Sequence, residues 1–146
     1  MPMPVQKPGR SKQDYSTPKE FIAAVEKFLG EPLAWDLAAH GGNHVTPGWY
    51  GPGGVLEDSL VADWSEEAKG HGGWAWLNPP FSDIAPWAKK CHLEATRGAK
   101  IALLVPASVG SNWYRDHVHG KAFVRFLNPR LSFDGKAPYP KDCLLA

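Results

Sequence analysis

Apolar and polar positions along the chain alternate between two periods, and the switches mark the elements. Phe21, Ile22, Val25, Phe28 and Leu29 fall on one helical face, and Gly30 with Pro32 ends that helix. Ahead of it, Thr17 fits an N-cap, Pro18 the first helical position and Glu20 the far side of a capping box. Leu33-Ala34-Trp35-Asp36-Leu37-Ala38-Ala39 reads as a short strand that ends at an acid and runs into small residues. Residues 41–54, with six Gly and two Pro, read as an aperiodic loop, either a flexible surface loop or a lid. Trp74-Ala75-Trp76-Leu77 is an apolar run suited to a buried strand, halted by Pro79-Pro80, neither of which has an N–H for a ladder. Ser82 or Asp83 then caps a second helix whose Ile84, Trp87, Ala88, Cys91 and Ala95 share a face, and Gly98 ends it.

Residues 100–106 form the strongest buried strand, and strand–helix–strand of this kind implies a right-handed parallel unit. A short helix over 113–118, a strand over 122–127, an Asp134-Gly135 turn and a last strand through Cys143-Leu144-Leu145 complete the pattern. The reading is α/β: a single domain over 15–146 behind a disordered basic tail over 1–14, with a mostly parallel sheet and an antiparallel C-terminal strand. Only about 36 residues separate Leu37 from Trp74, too few for two further strands and two helices, so the sheet is expected to be trimmed in the middle.

Composition narrows the class. With 146 residues and 43% hydrophobic content, the chain can build one ordinary core. Two cysteines suit a reduced, cytoplasmic protein better than a disulfide scaffold. The polar, Pro-rich opening is no signal peptide, and no apolar run is long enough to span a membrane. Charge is uneven: residues 1–73 hold 6 Lys/Arg against 10 Asp/Glu, and residues 74–146 hold 10 against 5. A basic half on a nearly neutral protein suits a polyanion approaching from one side, although solvated charges alone would give the same imbalance.

The candidate chemistry lies where the strand over 74–77 stops. Asn78 falls at the carboxyl end of that strand, where open α/β sheets place their ligands. Its amide oxygen, the Pro79 carbonyl and the flat face of Phe81 together suit a planar ring bearing an exocyclic amine. His40 and His44 invite a metal reading, but no third ligand stands at suitable spacing. A phosphate loop ending in Lys-Ser/Thr, the usual marker of other nucleotide-binding enzymes, is absent.

Asn78-Pro79-Pro80-Phe81 resembles the Asn/Asp-Pro-Pro-Tyr/Phe motif of S-adenosylmethionine-dependent amino methyltransferases. The Asp36-Leu37-Ala38-Ala39 turn followed by Asn43, the Leu104-Val105-Pro106-Ala107-Ser108 strand end and the run over 125–133 are similar to phage-type DNA N6-adenine methyltransferases (Dam-like), in the same order. The resemblance implies a compact Rossmann-like class I methyltransferase sheet over 15–146, S-adenosyl-L-methionine as cofactor, DNA as partner, and a monomer or homodimer in the cytoplasm, of the host cell if the protein is phage-encoded. It implies catalytic roles for Asn78, Pro79, Pro80 and Phe81. For the cofactor it implies Tyr15, Thr17 and Pro18 at the carboxylate end and Asp36, Ala38 and Asn43 at the ammonium end, with Asn78 between the two reactants. Asp63 would accept from the adenine amine of the cofactor, Trp64 would pack on its ring, and Asp58 is a weaker candidate for the ribose. The target base would be flipped onto Phe81, past Trp87, Trp113 or Tyr114, with Lys89, Arg115, Arg125 and Arg130 on phosphates. Two other readings stand beside it: an inactive module that binds S-adenosylmethionine or nucleic acid without turnover, and an amino methyltransferase of RNA or of a protein glutamine.

Overall fold

The computed structural model describes residues 17–39, 44–51, 54, 58–64, 73–132 and 139–146. In chain order they form α1 (Lys19–Leu29), β1 (Leu33–Asp36), a 3-10 helix (Ser59–Val61), β2 (Trp74–Leu77), α2 (Ala85–Thr96), β3 (Ile101–Pro106), α3 (Asn112–His117), β4 (Arg125–Phe126) and β5 (Cys143–Leu145). The expected tail over 1–14 and the Asp134-Gly135 turn lie outside the described residues.

The strands make one five-stranded sheet in the order β1-β2-β3-β5-β4. β1, β2 and β3 are parallel neighbours, and β5 runs antiparallel between β3 and β4. All six residues of β3 are buried because both faces of the sheet are covered. Alternation along the strand sends Ile101, Leu103 and Val105 to the face carrying α2, α3 and the 3-10 segment, and Ala102 and Leu104 to the face carrying α1. β1 departs from this rule: Leu33 joins the α1-side cluster and Trp35 the opposite one. The register of β1 against β2 shifts between those two residues, and this irregularity exchanges the faces.

Several boundaries differ from the sequence expectation. β1 stops at Asp36 and β4 spans only two residues, each shorter than the apolar run that suggested it. No further strand lies beyond β1 among the described residues. Instead Gly48 to Tyr50 run along its outer edge: the Asp36 N–H donates to the Gly48 carbonyl at 3.2 Å, and the Tyr50 N–H donates to the Asp36 carbonyl at 2.9 Å. This part of the expected loop is thus tied to the sheet, with Tyr50 edge-on to Trp35 at 5.4 Å.

Neither expected side-chain cap forms. The N-cap of α1 is Pro18, without a side-chain bond, and that of α2 is Ile84, also without one. In α2 a proline at the start of the helix removes a backbone N–H that a cap would otherwise satisfy. Further along α2, Glu94 is fully buried and carries its charge into the interior because Lys90 and Arg97 each lie 3.0 Å from its carboxylate. The Lys90 ammonium also donates to the Ala62 carbonyl at 2.5 Å, tying the 59–64 segment to α2.

Backbone geometry makes one glycine after β1 irreplaceable. Gly51 has φ +137, and a Cβ there would run into the carbonyl oxygen of Ala39. Gly98 has φ +100 with open space around it, and Gly110 has neither constraint. Gly51→Ala is therefore expected to lower the urea midpoint by more than Gly98→Ala, which carries only backbone strain of about 1–3 kcal/mol. Gly110→Ala should leave the midpoint unchanged.

Candidate active site

Parallel pairing of β1 with β2 places their carboxyl ends side by side. Asp36 sits opposite Trp76, and the Leu37 N–H still donates to the Trp76 carbonyl at 2.8 Å. Leu77 pairs with Leu103, so β3 continues beyond β2 and carries Ala107 and Ser108 out at the same end of the sheet. Asn78 and Asp36 therefore flank one strand boundary, as their positions at the ends of apolar runs indicated.

Asn78 is half-buried, and its Nδ2 donates to the Thr17 hydroxyl at 3.1 Å, across 61 residues of sequence. No described residue donates to its Oδ1, an atom with two acceptor lone pairs. Pro79 is buried, and the Pro80 carbonyl accepts from the Asp83 N–H at 3.3 Å to close the turn. The Pro79 carbonyl takes no backbone N–H among the described residues. Phe81 is half-buried and edge-on to Tyr139 at 5.6 Å. Two carbonyl acceptors and an aromatic ring thus lie within four consecutive residues after β2, and Thr17 is tied to the first of them through Asn78.

Asp36 is 3% exposed. One carboxylate oxygen accepts from the Ala38 N–H at 3.2 Å and the other from the Val45 N–H at 2.9 Å, which folds the chain after β1 back over the strand end. Burial pushes this carboxyl up to about 6, against the lowering effect of those two N–H groups and of His44. His44 stacks on Trp49 at 5.0 Å and bonds the Thr46 carbonyl through Nδ1, so its ring is held by its own loop.

The 59–64 segment is arranged differently from the expectation. Asp58 accepts from the Leu60 N–H at 3.1 Å and so caps the 3-10 helix. Asp63 is exposed, whereas Trp64 is only 1% exposed, with its indole N–H donating to the Ser59 carbonyl at 2.9 Å. Trp64 stacks on Trp87 at 6.4 Å with the Lys90 ammonium 5.4 Å from its ring. It is packed as core, because an indole this large, with its N–H satisfied inside, lowers the free energy most when fully desolvated.

The residues expected along a nucleic-acid path are dispersed. Tyr114 is buried, while Trp87 and Trp113 are half-buried. Arg115 forms a forked pair with Asp116, Arg130 lies 2.8 Å from Asp142, and the Arg125 guanidinium sits 5.2 Å from the Phe28 ring. Lys89 is exposed. Tyr15 and Asn43 lie outside the described residues.

Sequence reasoning missed the Gly48–Tyr50 edge, for which Trp49-Tyr50 between glycines was the available signal, and the use of Thr17 as a partner for Asn78. No helix among the described residues is long and apolar enough to cross a membrane.

No solved structure matches the chain. A DNA N-6-adenine-methyltransferase of Escherichia phage T1 is 27% identical over 127 residues, which cover 87% of this chain and 50% of that protein. The chain thus spans about half the length of the curated relative it matches. The family model described as DNA N-6-adenine-methyltransferase (Dam) matches residues 5–141. The chain belongs to the DNA N-6-adenine-methyltransferase (Dam) family.

Proposed function

We propose that this chain transfers a methyl group from S-adenosyl-L-methionine to the exocyclic N6 amine of adenine in DNA, on a Rossmann-like class I methyltransferase sheet. The observation that carries the reading is Asn78 at the end of β2, its amide nitrogen held by Thr17 and its oxygen bonded by no other described residue. The donor supplies a methyl group on a sulfonium, a good leaving group, so the protein's task is to orient and to stabilise charge.

The amine lone pair of adenine is delocalised into the ring. Two acceptors, Asn78 Oδ1 and the Pro79 carbonyl, favour a pyramidal nitrogen and stabilise the positive charge that grows on it in the transition state. Phe81 supplies a face for a base turned out of the duplex, and Pro79-Pro80 hold the turn stiff. The donor lies along the end of β1, where Ala38 permits close approach and the Asp36 carboxylate, with two lone-pair sites left after its backbone bonds, faces an ammonium. Asp63, exposed above buried Trp64, takes the adenine end, and Trp64 acts by fixing that segment rather than by stacking. The surface pairs of Arg115 and Arg130 are weak in water and exchange readily for phosphate.

Radiolabelled methyl transfer to unmethylated duplex DNA, with RNA and protein acceptors as controls, tests this directly. Label recovered as N6-methyladenine is expected. Donor binding without transfer to any acceptor would instead favour a binding module.

Asn78→Ala is expected to lower turnover by about 100-fold or more while leaving donor affinity intact, since it removes an acceptor that matters only as charge develops. Retained turnover would remove Asn78 from the chemistry.

Asp36 predicts two opposed pH trends. The folded carboxyl holds its proton up to about 6 and the unfolded one only to 3.8, so stability falls as pH rises between these values. Donor affinity should rise with pH through about 6, as the carboxylate needed for the ammonium forms. Both trends should flatten in Asp36→Asn, measured by thermal unfolding and by calorimetry; a donor affinity that stays pH-dependent in that variant would assign the titration elsewhere.

A further inference from the structure

Thr17 occupies the position where a helix cap would be expected, yet α1 begins at Lys19 and uses no side-chain cap. The hydroxyl instead accepts from Asn78 Nδ2 at 3.1 Å. We propose that Thr17 is a positioning residue for methyl transfer, setting the plane of the Asn78 amide so that its oxygen faces the acceptor amine. The inference rests on the reading of Asn78 as the acceptor and gives Thr17 a task beyond the carboxylate-end role that the resemblance implies.

The physical need is specific to an asparagine. Its terminal torsion is broad and roughly two-fold, so an unrestrained amide samples orientations that turn its NH2 toward the substrate. An amide NH2 presented to an amine offers hydrogen against hydrogen and cannot stabilise positive charge on nitrogen. A hydrogen bond from Nδ2 to a fixed hydroxyl removes that freedom before substrate arrives, which is how preorganisation lowers a barrier.

The hydroxyl is itself well anchored. Pro18 restricts the backbone beside it, and its carbonyl accepts from the N–H groups of Phe21 and Ile22 at 3.1 Å each, starting the helix. Phe21 then packs edge-on against Trp76 at 6.3 Å, two residues before Asn78 on β2. Trp76 is 1% exposed, so the start of α1 is anchored to the end of the catalytic strand through a buried aromatic contact. Thr17, two residues before α1, and Asn78, one residue after β2, are therefore both adjacent to the same packed unit.

Thr17→Val keeps the shape and branching of the side chain and removes the hydroxyl; Thr17→Ser keeps the hydroxyl. For Thr17→Val, kcat at saturating donor is expected to fall roughly 10- to 100-fold, with the KM for DNA within about twofold of wild type. Thr17→Ser should recover most of that loss, and Thr17→Val should add little to Asn78→Ala because both act on one group. Wild-type kcat in Thr17→Val would overturn the proposal, as would equal impairment of the Val and Ser variants, or weakened donor binding at unchanged kcat. Asn78→Ala separates the two levels. If it stays active, the underlying reading of Asn78 fails; if it is inactive while Thr17→Val is fully active, only the role of Thr17 fails.

Discussion

The site depends on the parallel register of β1 against β2. Asp36 is opposite Trp76, so the first residues past each strand, Leu37 with Ala38 and Leu77 with Asn78, emerge together. A shift of one residue would turn Trp76 away from Phe21 and send Leu77 out of the core cluster that it shares with Trp35 and Leu103. Burial of large apolar groups on both faces of β2 therefore sets the relative height of Asp36 and Asn78. Pro79-Pro80 then end the strand at this height, since neither can donate to a neighbour.

The same register exposes a difficulty, because β1 is the last strand on its side among the described residues. An edge with unpaired N–H and C=O groups beside the site would invite pairing with another chain. The chain's own residues 48–50 cover the end of that edge at Asp36, and close approach there favours glycine: a Cβ at Gly48 would collide with the ring of Trp35. The short connection between β1 and β2 is thereby used twice, once to seal the edge and once, through Val45, to bond Asp36.

What was legible in the sequence follows from where local and tertiary preferences agree. β2, β3 and the break at Pro79 were readable because apolar runs and prolines act on their own chain. Most of the face of α1 was readable for the same reason, with Val25 buried and Phe21, Ile22 and Leu29 packed against its cluster, but Phe28, expected with them, is 63% exposed under the Arg125 guanidinium. The faces of β1 were not, because its register shift is set by fit against β2. Thr17 read as a cap because a Thr-Pro-x-Glu string has that local meaning; its hydroxyl was drawn instead to an amide 61 residues away. Trp64 read as a ligand wall because an aromatic next to an acid suggests one, yet Ser59 and Trp87 close around it. At these positions a partner distant in sequence decides, and periodicity carries no record of it.

Under the proposed donor site, Asp36 is the position where stability and ligand binding pull in opposite directions. An aspartate that only closes a turn can do so at the surface, where its carboxylate stays hydrated. Here the same turn is made by a carboxylate whose burial pushes it up to about 6, so at neutral pH the ionised group lowers the stability of the folded state relative to the unfolded one. Two backbone N–H bonds lower that cost and leave part of it in place. A cationic ligand beside the carboxylate would remove the remainder, since an opposite charge within a few ångström favours the ionised form. The burial of Asp36 is thus a poor way to build a turn and a good way to hold a cation, which is the physical argument behind the proposed placement of the donor at the end of β1.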